Sequence, residues 1–291
     1  MTRRAATIGG FGRSPATWAK IIGLTVLLVV LLSFNYAGLA LSSSVTQKPL
    51  QLIVVAFVDT VIMGYLVTAS RWKGRMEWLA LFSAFYGVNY ALTTIEAVYL
   101  PTVLPASTVF NLLLNGAIVS GVFAAALVAV LGERGMQEQT GVKRLAMPAR
   151  EWIWKTIAGG IVYIILFIIF GAVVYGPLAK SLDAAAYAAE QSSGASAGAA
   201  LIFPTEILRG AIWVLLGVPA IMSLPFGWRK TGVIMGIVFA VPLSGFILLS
   251  TTIAAGLVPA HFVEVITENF VFGILVTWIL QRHDRLPALS H

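Results

Sequence analysis

The sequence predicts an all-α polytopic membrane protein of eight transmembrane helices, arranged as two parallel four-helix repeats. Three observations carry this. Hydrophobic residues make up 59% of the chain and charged residues 11%, against about 25% charged in a soluble domain. Eight apolar runs are each long enough to cross a hydrocarbon core of about 30 Å. Finally, 16 of the 19 Lys and Arg residues fall at one set of alternate loops and ends, as the positive-inside rule requires.

Residues 1–17 carry Arg3, Arg4 and Arg13 and form a cytoplasmic N-terminal tail. Arg3-Arg4 is not followed by the flanking pattern of a twin-arginine signal. The first run, from about Trp18 to Ala40, is long enough to span; a cleaved signal peptide is its alternative reading. Further runs lie at about 50–70, 76–99, 106–131, 152–176, 203–224, 231–255 and 262–281. Arg71, Lys73 and Arg75 follow the second run, and Arg134, Lys143, Arg144, Arg150 and Lys155 follow the fourth. Arg229 and Lys230 follow the sixth, and Arg282 and Arg285 the eighth. The opposite loops hold only Lys48 and Lys180. This places both termini in the cytoplasm, with a bacterial plasma membrane as the location. The net charge of +7 is accounted for by these loops, and nucleic acid is not a predicted partner. The lipid bilayer is.

The domains follow from the runs. Residues 18–132 form the first repeat, 133–151 a charged cytoplasmic linker, 152–281 the second repeat, and 282–291 a cytoplasmic C-terminal tail. An outer loop, 180–202, interrupts the second repeat. Within it Ser181-Leu182-Asp183 precedes Ala184-Ala185-Ala186-Tyr187-Ala188-Ala189-Glu190, a capping serine, an early acid and good helix formers. A short surface helix is predicted, followed by a flexible Ser192–Gly198 linker. The loop is a lid or a spacer.

Four landmarks recur in order. Tyr36-Ala37-Gly38-Leu39-Ala40 matches Tyr175-Gly176-Pro177-Leu178-Ala179, and Trp72-Lys73 matches Trp228-Arg229-Lys230. Pro105-Ala106 matches Pro259-Ala260, and Asn115 and Asn269 each stand ten residues beyond those prolines. An even number of spans per unit makes the repeats parallel, about a pseudo-two-fold axis along the membrane normal.

The candidate site residues are the ionisable and amide groups inside spans. Charges in a bilayer are costly and usually face a bundle interior or wet cavity. Asp59 is near the midplane of its span. Glu206 and Arg209 fall in the first turns of the sixth span. His261, Glu264 and Glu268 share one face of the eighth, at about 100° per residue. Asp59, Arg209, Glu264, Glu268, Asn269 and Asn115 are the candidate substrate or ion contacts; Glu96, Glu206 and His261 are weaker ones, able to sit in the headgroup region. Asn89, Asn111, Asn115 and Asn269 are placed to bond across helices. Together the charges form an outer-half acidic cluster that low dielectric does not leave fully ionised, so protons or a cation must join it. Asp59 and Arg209, on equivalent helices of the repeat, are expected face to face.

The chain has no cysteine, which excludes disulfides, iron–sulfur clusters, thiolate zinc sites and c-type haem. No phosphate-binding P-loop and no HExxH motif appear. Of three histidines, His283 and His291 lie in the C-terminal tail, so one chain cannot ligate haem through two intramembrane histidines. No cofactor, catalytic residue or metal ligand is predicted. The first reading is a small secondary transporter or carrier of a small solute or cation. The alternatives are an outer-leaflet intramembrane enzyme or lipid-binding protein, and a non-catalytic subunit of a membrane complex.

Overall fold

A computed structural model describes residues 14–37, 48–92, 94–95, 106–132, 147–196, 199–250 and 253–282. Among these the chain is helical and no strand occurs. The helices are α1 (Pro15–Ala37), α2 (Pro49–Ala69), α3 (Arg75–Tyr86), α4 (Ala106–Leu131), α5 (Ala149–Phe170), α6 (Gly176–Leu182), α7 (Ala184–Ser196), α8 (Ala199–Ser223), α9 (Trp228–Leu249) and α10 (Val258–Gln281). Two π-helical turns, Gly87–Ala91 and Gly171–Tyr175, continue α3 and α5.

Seven helical stretches are long and apolar enough to cross a membrane. They begin and end close to the apolar runs of the sequence. The remaining run, 76–99, is helical through α3 and its π turn, and most of its C-terminal end, with Glu96, lies outside the described residues. So do most of the 133–151 linker and nearly all of both tails. The protein is therefore a helical, multi-pass membrane protein.

The helices pack in a closed ring. In order round it, α1 meets α2, then α9, α10, α5, α8, α3 and α4, which returns to α1. Lipid-facing sides carry exposed Ile, Val, Leu and Phe, such as Ile22, Phe110, Ile157 and Leu215. The interior holds Phe85, Phe123, Trp213, Phe239 and Phe272, each at most 2% exposed. Glycines allow a close crossing between α9 and α10. A Cβ on Gly273 would lie 2.6 Å from the backbone nitrogen of Gly236, so only small residues permit this approach. At the turn into α3, Gly74 has φ 61, a conformation that side chains disfavour.

The last carbonyls of a helix lack intrahelical donors, and three basic side chains supply them. Arg71, just past α2, donates from Nε and Nη2 to Met222 O at 3.0 and 2.7 Å, while its backbone N donates to Ser223 O at 2.8 Å. These bonds close the end of α8. Lys48 Nζ donates to Leu248 O at 3.1 Å and Ser250 O at 3.0 Å at the end of α9. Lys155, fully buried in the first turns of α5, donates to Arg282 O at 2.8 Å at the end of α10 and pairs with Glu151 at 2.6 Å. Positive charge also favours these helix ends through the macrodipole. Residues that the sequence presents as loop charges thus tie helix ends together.

Candidate functional site

The polar side chains of the spans fall into three groupings, not the single outer-half cluster expected from the sequence.

The first grouping is built by a long rod. α5, its π turn and α6 run without a break from Ala149 to Leu182, 34 residues, about 50 Å at 1.5 Å per residue. That exceeds a hydrocarbon core of about 30 Å, so the far end projects beyond it. The π turn shifts the register just before that end and turns Tyr175 inward, where it is 7% exposed; such turns recur at functional positions. Asp183 then caps α7, accepting from Ala186 N at 3.0 Å. The cap is Asp183, not Ser181, whose hydroxyl donates back to Leu178 O at 2.7 Å. The predicted surface helix is present as α7. It runs on to Ser196, through most of the segment expected to be a flexible linker.

α7 brings Glu190 over the first turn of α10. His261 Nε2 lies 3.3 Å from Glu190 Oε1, and its Nδ1 lies 3.5 Å from Glu264 Oε2. Tyr175 donates its hydroxyl proton to the other oxygen of Glu190 and stacks on the imidazole at 4.3 Å. Tyr187 meets Tyr175 edge-on, and Lys180 lies 5.4 Å above the Tyr187 ring. Burial works to raise the pKa of Glu190, but the hydrogen bonds from His261 and Tyr175 and the attraction of His261 outweigh it and hold the carboxyl below its ordinary value. One imidazole between two carboxylates, with a phenol behind it, is an arrangement that can accept and pass on protons at the membrane surface.

The second grouping lies between α5, α8 and α10. Arg209 Nη1 meets Glu206 Oε2 at 3.3 Å, one turn away on the same helix. The guanidinium lies 5.5 Å from the Tyr163 ring centre and 6.0 Å from that of Trp213, distances at which aromatic faces attract a cation. Phe272, one turn beyond Glu268, packs on both rings at 4.9 and 5.3 Å. Glu268 is 3% exposed and Asn269 1% exposed. The Asn269 amide donates to Val265 O at 2.8 Å, within its own helix, not across to a neighbour.

Asp59 is apart from both. It is 2% exposed and lines a small pocket with Leu32, Val55, Phe85, Asn89, Tyr90, Phe246 and Leu249. No hydrogen bond or ion pair to its carboxylate occurs among the described residues. The expected meeting with Arg209 does not occur. Their helices are not neighbours in the ring; α2 packs on α9 and α8 on α3. The second π turn, Gly87–Ala91, supplies Asn89 and Tyr90 to the pocket, and Asn89 also bonds within its own helix, from Nδ2 to Phe85 O at 3.3 Å. Asn115 is half-buried on α4 and Asn111 exposed there. No group of three or more His, Cys, Asp or Glu side chains among the described residues is arranged to hold a metal ion.

Tyr175, Tyr187 and Glu190 escaped the sequence reading as site residues. The one available signal was Glu190 itself, the last charge in an alanine-rich helix just outside a span. Comparison with protein-family models, with curated proteins and with solved structures finds no match for this chain.

Proposed function

We propose that the protein is a small secondary carrier that couples a solute to protons through Asp59, in a bacterial plasma membrane. The observation that carries the reading is an acid 2% exposed, inside a span, beside a pocket and without an ion-pair partner among the described residues. A charge held inside the bilayer is costly, on the order of 2.5–3.5 kcal/mol even on the mildest scales. Such a carboxylate is stable when a proton or a cationic ligand neutralises it, and exchange between those two states is the elementary step of coupling.

The architecture proposed with it is eight spans in two parallel repeats, 18–132 and 152–281, with cytoplasmic ends. The ring supports this. Exchanging α1 with α5, α2 with α8, α3 with α9 and α4 with α10 turns every neighbouring pair of the ring into another neighbouring pair. Reporter fusions after Gly132, after Leu182 and at the C-terminus test the topology; an external C-terminus refutes it.

For the activity, the purified protein in proteoliposomes containing a pH-sensitive dye is challenged with a panel of solutes. At least one solute moves protons in the wild type and none does in Asp59→Asn. Proton movement that survives Asp59→Asn overturns the reading. The second reading, an outer-leaflet enzyme or lipid-binding protein, is favoured by the His261, Glu190 and Tyr175 grouping beneath α7. It predicts that His261→Ala abolishes function while Asp59→Asn leaves it intact.

A further inference from the structure

We propose that Glu190, His261 and Glu264 form a proton inlet that loads Glu268, a proton-binding site inside the bundle and separate from Asp59. The basis is a row of side chains that leads inward from the surface along one face of α10. Glu190 Oε1 lies 3.3 Å from His261 Nε2, and His261 Nδ1 lies 3.5 Å from Glu264 Oε2. Each ring nitrogen thus faces a carboxylate, so the ring can take a proton on one side and release one on the other. Glu264 and Glu268 stand one turn apart, a spacing that puts Cβ atoms about 5–6 Å from each other. The other oxygen of Glu264 lies against the rod, where a Cβ on Gly171 would be 3.5 Å from it. Exposure falls along the row, from 39% at Glu190 through 20% at His261 and 9% at Glu264 to 3% at Glu268. From His261 to Glu268 the helix rises about 10 Å. Rows of Asp, Glu and His within spans are how membrane proteins carry protons through an apolar region.

The inner end of the row has a reason to take the proton. Phe272, one turn beyond Glu268, packs on Tyr163 and Trp213, the rings that face Arg209. Arg209 already pairs with Glu206. Two carboxylates and one guanidinium leave one negative charge in this grouping, and a low dielectric penalises it. One proton on Glu268 removes that charge. The transfer changes only N–H and O–H bonds. A proton from water binds His261 Nε2, the ring gives the proton of Nδ1 to Glu264, and Glu264 passes one to Glu268. Tyr175, Tyr187 and Lys180 are the other titratable groups around the mouth. Tyr163 from α5 and Glu206 and Arg209 from α8 are those around the inner end. α9, packed along α10, carries only Arg229 and Lys230, both in its first turn.

The test is time-resolved infrared spectroscopy of the whole protein in liposomes after light releases a caged proton. The wild type and Asp59→Asn both develop the C=O band of a protonated carboxyl that Glu268→Gln lacks. Glu268→Asp keeps a carboxyl and moves that band; it serves where Glu268→Gln fails to fold. His261→Ala and Glu264→Gln each slow the band by about a hundredfold, the low end of what a positioned proton carrier contributes. Imidazole added to His261→Ala restores the rate, which a merely structural loss would not allow. A band unaffected by either change at Glu268, or no band at all, overturns the proposal. So does an unchanged rate in His261→Ala and Glu264→Gln, or a slowing that imidazole does not relieve. No arm of this test involves a solute, so its failure leaves the Asp59 carrier reading standing. Proton movement that survives Asp59→Asn in the transport assay overturns that reading and leaves the inlet standing.

Discussion

Tyr175 stacks on His261 with ring centres 4.3 Å apart and donates its hydroxyl proton to Glu190, whose other oxygen lies 3.3 Å from the same imidazole. The three side chains come from α5 with its π turn, α10 and α7, so they clasp the surface helix to the bundle. Its apolar contact is a small cluster in which Ala186 and Tyr187 pack on Tyr175, Ala179, Leu257 and Ala260. Glu190→Gln and His261→Ala should each release α7 without unfolding the spans. The chain has no cysteine, so a single Ala186→Cys reports on this directly. Its labelling by a membrane-impermeant maleimide should accelerate at least several-fold in either clasp variant. Unchanged labelling would show that apolar packing alone seats the helix.

The same clasp has a pH dependence of definite sign. Glu190 is held below its ordinary value of 4.5, so it contributes docking that is complete above that value. The contribution is lost as the pH falls through the lower value of the folded state. The groups facing Glu190 are His261 and Glu264 from α10 and Tyr175 from the π turn, with Tyr187 and Lys180 nearby. Once protonated, Glu190 no longer attracts His261 through its negative charge. Labelling of the same cysteine should therefore rise as the pH falls below 4.5 in the wild type, and this rise should disappear in Glu190→Gln. A flat wild-type profile would remove Glu190 as the acid-sensitive group.

These residues also mark where sequence reasoning stops. Asp59, Glu206, Arg209, Glu264 and Glu268 were legible because charge inside an apolar run is expensive wherever it stands, and all five are buried. Tyr175 and Glu190 were not, because a phenol at a span end and an acid in a surface helix cost nothing locally. Only the return of α7 across α10 makes them a site, and no periodicity encodes that return. The π turns were equally silent, since Gly171–Tyr175 fits an ordinary helix in composition. Lys155 was misread for the opposite reason: the positive-inside rule counts a lysine near a span end whether it is solvated or, like Lys155, fully buried at the end of α10.

Lys155 gives a stability prediction. Lys155→Met leaves Glu151, whose side chain is 18% exposed, and the carbonyl of Arg282 without the ammonium they share. Breaking a buried pair from one side typically costs 3–5 kcal/mol. The partial exposure of Glu151 moves the expectation to about 3 kcal/mol. Adding Glu151→Gln should restore a measurable part, because no carboxylate is then stranded. Detergent-denaturant titration followed by far-UV circular dichroism reads both values.

The crossing of α9 and α10 makes a sharper test of packing. Alanine is intrinsically better in a helix than glycine by about 1 kcal/mol, so Gly273→Ala would stabilise if the helix stood alone. Here the added Cβ would lie 2.6 Å from Gly236 N and 2.7 Å from Gly236 Cα. Backbone cannot step aside as a side-chain tip can. Overpacking costs about 1–3 kcal/mol, and net destabilisation is expected. Gly23→Ala on α1, where nothing lies within 4 Å of the new Cβ, should be neutral or slightly stabilising. Equal effects at both positions would mean that the crossing is looser than described.

The last test asks which acid Arg209 depends on. The guanidinium meets Glu206 at 3.3 Å, and both side chains are nearly buried, at 5% and 7% exposure. Arg209→Gln takes the guanidinium away from Glu206, and Glu206→Gln leaves it beside the faces of Tyr163 and Trp213. The second loss should be the smaller, because the rings continue to stabilise the cation. Combining the two should cost less than the sum of the singles, with a coupling of about 1 kcal/mol or more. Asp59→Asn behaves differently. Its carboxylate has no ion pair among the described residues, and α2 is not packed on α8 in the helix ring. Its effect should add to that of Arg209→Gln within about 0.5 kcal/mol. Removing an unneutralised charge from an apolar site can even stabilise the fold. Unfolding of the five variants in one detergent decides the matter. Additive Glu206 and Arg209 effects, or strong coupling of Asp59 to Arg209, would reverse the assignment of Glu206 as the acid on which Arg209 depends.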